Sequence, residues 1–501
     1  MNWLDRAIST LSPEAGIRRA RARAALRVIE GIEQRGGYDG AKRGRRTQGW
    51  TATGDSGNSA LFGQLDTLRN RSRDLVRNNP YAKKAVSTIV RHMVRDGIQA
   101  VWDNQGAAKA WRAWCRQADW RGETTLAGLQ AQVARAWKES GEALVRRHIL
   151  PEYDGRTIPV RYEVLEPDYL ATFETRQLPD GFIIAGVEYG NDGRRRAYWM
   201  YDYHPGETIP VARNLTPRRV PAEEILHIRS VVHTRPGQVR GVPQLGSALL
   251  RLRDLDEYQE AELVRKKIEA CFAVFVTSTS GNAASIPGVG SAVDSGTGKR
   301  IETVAPGLIE YLDQDQDVRF GQPSASPNDG YTREQLHAIA AGAECTYEQL
   351  TGDLSGVNYS SIRAGRLEFF ALIQQEQWLE LIPQLCDPIA RDVMRIGYIA
   401  GAIRARDLEP TDWTCPKPEF VDPLKDVLAL KESARGGLIS ISEAQRLNGQ
   451  DPETVRAEMK REREEFAKDG IVVDTDARVK LPANSVGAQA DGSPAATATT
   501  E

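Results

Sequence analysis

Residues 245–270 read LGSALLRLRDLDEYQEAELVRKKIEA. Leu245, Leu249, Leu252, Leu255 and Tyr258 recur at three- and four-residue spacing, and neither Gly nor Pro occurs after Gly246. This predicts one long α-helix with an apolar stripe. The other faces carry both charge signs densely, so the helix is expected to pack laterally on neighbours and keep a solvated side. Directly after it, Cys271–Thr277 reads as a strand that enters a Gly/Ser-rich loop, Ser278–Gly298. Leu308–Leu312 and Asp317–Phe320 are further short strands. A second helix is expected from Thr332, where Thr332 and Gln335 fit a capping box, to about Thr346. Two helices flanking a β-rich insertion thus form the centre of the chain.

On the N-terminal side, Leu65–Val94 has helical periodicity, interrupted at Asn78-Asn79-Pro80. Asn79 is pushed out of the helical region by the following proline, and Pro80 suits a first helical position. Gly97 reads as the stop. Further helices are expected over about Ala107–Gln117, with Trp111 and Trp114 on one face, and about Leu126–Ser140. The tryptophans read as core anchors rather than base-stacking platforms. From 143 to 232 the texture changes to short β-branched or aromatic runs: Ala143–His148, Pro159–Leu165, Ile183–Tyr189, Ala197–Tyr203 and Ile225–Arg229. On the C-terminal side a polar loop, Asp353–Ser361, precedes helix from about Ser361 to Glu380, and helix resumes over Leu385–Ala400 after Pro383. A loop–helix region spans 413–468. The tail from about Asp474 is small, polar and expected not to fold. The class is α+β, mainly α.

The chain has 501 residues, 41% hydrophobic and 27% charged, which excludes a wholly disordered chain, a collagen-like fibre and a disulfide miniprotein. The net charge is −2 but it is polarised. Residues 1–95 carry 19 basic against 8 acidic groups, and 401–501 carry 14 against 19. The arginine-rich start reads equally as a nucleic-acid contact or a solvated helix face. Cysteines at 115, 271, 345, 386 and 415 form no C-x-x-C pair, so separate reduced thiols are expected rather than a zinc cage or disulfide framework. The opening MNWLDRAISTLSPEAG has no apolar segment, which predicts no signal peptide. No apolar run approaches the roughly 20 residues of a membrane span.

Catalytic constellations are missing from the sequence. Gly288, Gly290, Gly296, Gly298 and Lys299 suggest a phosphate loop, but the pattern requires Gly where Val293 stands and Ser or Thr where Arg300 stands. The six histidines include no H-E-x-x-H pair, and in Gly352-Asp353-Leu354-Ser355-Gly356 the serine falls one place late for a nucleophile elbow. The expectation is a non-enzyme with no catalytic residue, no cofactor and no metal.

The run from Gly352 to Phe369, GDLSGVNYSSIRAGRLEF, resembles the signature of lambda-type tailed-bacteriophage portal proteins, in which L-T-G-D is followed by a serine-rich loop and a helix opening with S-x-x-R. Val76-Arg77-Asn78-Asn79-Pro80-Tyr81-Ala82 is similar to the family's early helix, and Glu166-Pro167-Asp168 to its turn before the strand section. Trp413, Pro418, Val421-Asp422-Pro423, Lys425, Gly436-Gly437-Leu438-Ile439-Ser440 and Gly449-Gln450-Asp451 resemble its closing region. The order and spacing of these pieces cover most of 60–470.

The resemblance implies a portal fold of wing, long-helix stem, β-rich clip and helical crown, assembled as a ring, typically of twelve subunits, around a DNA channel. It implies a basic N-terminal arm over 1–60, a wing over 61–244, stem helices over 245–270 and 331–350, and a clip over 271–330. A tunnel loop would occupy 351–362, a long helix and crown 363–410, a C-terminal helical region 411–473 and a disordered tail 474–501. Leu249, Leu252, Leu255 and Tyr258 would make ring contacts. Asn358, Tyr359, Ser360, Ser361 and Arg363 would face double-stranded DNA, with Arg363 equally able to pair within the ring. Lys299, Arg300 and Arg319 would be clip residues for DNA or terminase, although plain solvated surface also accounts for them. The implied partners are the terminase large subunit, the major capsid protein with scaffold or protease, and head-completion proteins, with no membrane. The implied setting is the virion's portal vertex, after assembly in the host cytoplasm. A nuclease-like DNA-processing enzyme and a smaller head–tail adaptor are the competing readings.

Overall fold

The computed structural model describes Gly49 and residues 52–151, 157–208, 216–270, 274–277, 309–312, 329–404, 408–416 and 423–471. By its contacts the chain separates into Met1–Ser56 and Gly57–Glu501. The described part of the first unit is exposed backbone at Gly49 and 52–56.

The second unit opens with helices α1 (Gly57–Leu61), α2 (Leu65–Asn78) and α3 (Pro80–Val94). The α2–α3 joint forms as the sequence predicts. Asn79 is extended at φ −98, and its side-chain oxygen accepts from the Tyr81 and Ala82 amides, which caps α3. Strand β1 (Gln99–Val101) and helices α4 (Gln105–Cys115) and α5 (Leu126–Ser140) come next. Trp111 and Trp114 are 4% and 3% exposed and meet Trp102, Tyr162 and Trp413 in tilted and edge-on ring contacts around the largest core.

The strand section forms two antiparallel sheets. One has the order β3 (Val160–Leu165), β2 (Glu142–Ile149), β9 (Ile225–Arg229). The other is a meander of β4 (Arg176–Leu178), β5 (Gly181–Ile184), β6 (Val187–Gly190), β7 (Arg195–Met200) and β8 (Arg218–Pro221). The single strand expected over Ile183–Tyr189 is a hairpin. Ile184 pairs with Val187, and Ala185 and Gly186 take φ 48 and 84, the left-handed pair that a two-residue turn needs. The apolar run hid that turn because Ala185 is not a turn-forming residue.

A buried charge cluster joins the sheets. Glu142, fully buried at the head of β2, accepts from Arg240 Nε at 2.8 Å, Arg69 at 3.2 Å, His227 Nε2 at 2.9 Å and the Gly241 amide at 3.0 Å. Arg240 also donates to the Ala185 carbonyl at 2.8 Å in the β5–β6 turn. A β-carbon on Gly241 would stand 2.0 Å from the Gly141 carbonyl oxygen, so only glycine lets these backbones cross.

Helix α6 spans Leu249–Ala270, four residues shorter at its start than expected. Residues 245–248 make tight turns instead, with Gly246 bonding back to Pro243. The insertion is described at β10 (Val274–Thr277) and β11 (Ile309–Leu312), which pair in parallel. Its Gly/Ser loop, the strand expected at Asp317–Phe320, Lys299, Arg300 and Arg319 lie outside the described residues, as does the tail from 472.

Helix α7 (Asp329–Gly342) begins three residues before Thr332, so the capping box expected there is not its start. The capping box lies further on, where Thr346 and Gln349 cap the short α8 (Tyr347–Thr351). Helix α9 (Tyr359–Glu376) runs into wide turns over Gln377–Cys386 and then α10 (Asp387–Ile399). The break expected at Pro383 does not form. The π-helical hydrogen-bond pattern shifts the backbone around the proline, and the rod continues. Strand β12 (Asp412–Thr414) pairs antiparallel with β1, and α11 (Pro423–Arg435), α12 (Ile441–Leu447) and α13 (Pro452–Asp469) close the described chain. The described fold is mainly helical with separate small sheets. None of its helices is long and apolar enough to cross a membrane.

Candidate functional site

The loop between α8 and α9, where the resemblance puts a tunnel loop, is exposed from Gly352 to Gly356. Gly352 ends α8 in the left-handed region at φ 79. The Asp353 amide donates to Thr351 Oγ1 at 3.1 Å, and Asp353 Oδ1 accepts from the Ser355 amide at 2.9 Å. Hydrogen bonds from Ser355 hold the Asp353 carboxyl below its ordinary pKa, so it is anionic. Asp353, Ser355 and Gly356 are exposed, and Leu354 at the tip is 59% exposed.

Helix α9 begins at Tyr359, two residues before the expected start. Asn358 Oδ1 accepts from the Ser361 amide at 2.9 Å, and Ser361 Oγ accepts from the Asn358 amide at 3.1 Å. Asn358 and Ser361, expected to face a nucleic acid, are therefore engaged in capping the helix. Ser360 is exposed, and Tyr359 is the first helical residue. Arg363 pairs with Asp426 of α11 at 3.2 Å within the same chain. Asn358→Ala is expected to fray this first turn at a cost of about 1 kcal/mol. Faster amide exchange confined to 358–362 would show it.

Deeper along the rod the anchoring is buried and polar. Phe369 and Ile373 enter the large core, and His92 meets Phe369 and Phe370 edge-on at 5.3 and 5.4 Å. Glu376 forms an ion pair with Lys138 of α5, both nearly fully buried. Gln377 donates to the Met93 carbonyl at 2.7 Å. Glu380 Oε1 accepts from the Val231 and Val232 amides, each at 2.8 Å, and the Gln384 amide bonds both backbone groups of Arg229. Sequence reasoning missed these partners. Gln377, Glu380 and Gln384, at three- and four-residue spacing in the otherwise apolar run Gln377–Cys386, were the signal that could have found them. The result is a rigid lever carrying an exposed tip.

The stem residues are placed differently from expectation. Leu249, Leu252 and Leu255 are 5%, 0% and 1% exposed and pack with Val76, Ala82, Val86, Leu336 and Ile339 of their own chain. Tyr258 meets Tyr331 edge-on at 5.1 Å. The apolar stripe is thus consumed inside the subunit, because α2, α3 and α7 lie against that face. Elsewhere, Glu166, Asp168 and His204 approach one another closely enough to hold a cation. Arg73 already bonds Glu166 at 3.1 Å and Asp168 at 2.6 Å and supplies the positive charge.

The model of the lambda family of phage portal proteins matches residues 43–377, so the chain belongs to that family. It is similar to the probable portal protein of Halomonas phage phiHAP-1, 25% identical over 464 residues, covering 86% of this chain and 87% of that protein. It is also similar to portal protein B of Escherichia phage lambda, 22% identical over 515 residues, covering 88% and 92%. Among solved structures it matches a chain in the neck of a native GTA particle computed with C12 symmetry, at 15% identity and TM-score 0.40, covering 76% of this chain and 94% of that one.

Proposed function

We propose that this chain is the ring subunit of a phage portal. In this reading identical copies enclose a channel at one capsid vertex, through which double-stranded DNA is packaged and later released. The observation that carries it is the family match over 43–377, which takes in the α6–α7 pair, the exposed loop and all of α9. A conduit for DNA of any sequence should touch the backbone without gripping it, because each firm phosphate contact adds salt-dependent affinity. The loop suits that task. Its exposed charge, Asp353, is negative, and the nearest basic side chain on α9, Arg363, is paired with Asp426.

The same reading makes the α6–β10–β11–α7 segment stem and clip, the docking end for a terminase motor and then for head-completion proteins. Capsid protein and scaffold or protease would be partners at the vertex, and the mature location would be the virion. Negative-stain microscopy of the purified chain tests it. Annular particles with an axial hole of about 20 Å or more are expected, wide enough for a duplex given B-DNA dimensions. A homogeneous monomer under every assembly condition would overturn it, and so would Mg²⁺-dependent plasmid cleavage lost on substitution of one carboxylate.

A further inference from the structure

Helix α6 outruns the core that holds it. Its buried leucines all lie in the first seven positions, and beyond Leu255 none of its described side chains is buried. The 22-residue helix is about 33 Å long at 1.5 Å per residue. Beyond Leu255 one face stays partly covered, at Tyr258, Gln259, Glu262 and Arg265, and the other described side chains are exposed. Leu250, Arg253, Glu257, Glu260 and Val264 recur at three- and four-residue spacing and are all exposed, so they form one seam on the solvated side. Over the middle turns of that seam and its flank the charge is acidic: Asp254, Asp256, Glu257 and Glu260 stand against Arg253, itself tied to Glu257 at 2.8 Å, and the next exposed cation on this side, Lys267, follows two turns beyond Glu260. Asp256 and Glu260 have no ion-pair partner among the described residues. Leu263 and Val264, 52% and 48% exposed, lie beside this patch.

Helix α3 shows the opposite sign. No acidic residue occurs from Pro80 to Val94, and Lys83, Lys84 and Arg91 are exposed. None of the three has an ion-pair partner among the described residues. Both helices bury their other faces in one core, Ala82, Ala85 and Val86 from α3 and Leu249, Leu252 and Leu255 from α6. Their solvated faces are turned away from that shared core, and no ion pair joins them among the described residues.

We propose that the acidic flank of α6, centred on Asp256 and Glu260, docks on the α3 face of Lys83, Lys84 and Arg91 in a second copy of this chain. Two different, complementary patches on one chain make a heterologous contact, the kind that closes into a ring when the rotation allows. Electrostatic complementarity sets the register of such a contact, and the neighbour would cover Leu263 and Val264. The inference rests on the ring reading and adds which surfaces make the ring.

Charge swapping tests it. The full-length chain, K83E/K84E, D256K/E260K and the quadruple variant are compared by analytical ultracentrifugation and negative-stain microscopy, with circular dichroism to verify folding. All four positions are exposed, so folding should be retained. Each double variant is expected to lose the assembled species at concentrations where the parent assembles, and the quadruple variant to regain it. Double variants that assemble like the parent overturn the interface while leaving the ring intact. So does a quadruple variant that stays dissociated. If K83E/K84E forms rings but binds duplex DNA more weakly, the α3 face belongs to nucleic acid and the inference also falls. A parent that never assembles removes the portal reading itself.

Discussion

Glu142→Gln is expected to lower the stability of the chain by about 3–5 kcal/mol, because it leaves two buried guanidinium groups without their common anion. Arg69, Arg240 and His227 converge on this carboxylate, and all four side chains are under 5% exposed. Burial alone would raise the Glu142 pKa. Arg240 and His227 outweigh it, and the carboxyl is held well below its ordinary value. Glutamine keeps the size and part of the hydrogen bonding, so the loss reports charge. Urea unfolding of the variant, with an unchanged slope, is the measurement; a loss under about 1 kcal/mol would mean that the cluster is hydrated or rearranges.

The same cluster sets a pH dependence. Burial pushes the His227 pKa down from 6.5 to about 4, so the ring is neutral at pH 7 and donates to Glu142. The unfolded chain takes up this proton near 6.5 and the folded chain only near 4. Stability is therefore fully present above pH 6.5 and falls as the pH drops toward 4. Loss of Glu142 ionisation at lower pH acts in the same direction. In His227→Gln the decline between pH 6.5 and 4 is expected to shrink, and an identical decline in parent and variant would assign it to other groups.

Lys138→Met is expected to cost a similar loss of about 3–5 kcal/mol, and the double variant Lys138→Met/Glu376→Leu to recover most of it. Lys138 Nζ lies 4.2 Å from the Trp137 ring centroid and also bonds Gln244 at 3.1 Å, while Glu376 Oε2 has no hydrogen-bond partner among the described residues. Removing the cation strands a buried carboxylate at the foot of α9. Removing both charges lets the space fill with apolar groups. A double-mutant cycle with thermal or urea unfolding measures the coupling. Because this pair fastens the lever that carries residues 353–358, the single variant should also be nicked faster by protease in that loop. Additive losses would show that the two side chains do not depend on each other.

The helices were legible in the sequence where periodicity and capping chemistry agree. Leu126–Ser140 has the predicted bounds, and Asn79-Pro80 divides α2 from α3 where the proline requires. Strands β2, β3 and β9 are read within a residue or so from their β-branched runs. Three of the errors share one cause. The β5–β6 turn at Ala185-Gly186, the three-residue β12 and the unbroken passage through Pro383 are each decided by partners remote in sequence. Arg240 holds the turn through the Ala185 carbonyl, β1 pairs with β12 near the other end of the chain, and Glu380 and Gln384 grip the backbone at 229–232.

The candidate site divides the same way. Sequence alone located the loop and the helix it opens, through a local pattern of Gly, Asp, Asn and Ser, and the family resemblance came from that pattern's order along the chain. Which side chains remain available was decided only in three dimensions. Local spacing shows that Leu249, Leu252 and Leu255 form a stripe but not whether their own chain or a neighbour covers it. It shows Asn358, Ser361 and Arg363 as polar but not that a cap and Asp426 already use them. Burial and pairing depend on contacts between distant segments, and those arise only when α2, α3, α6 and α7 come together around one core.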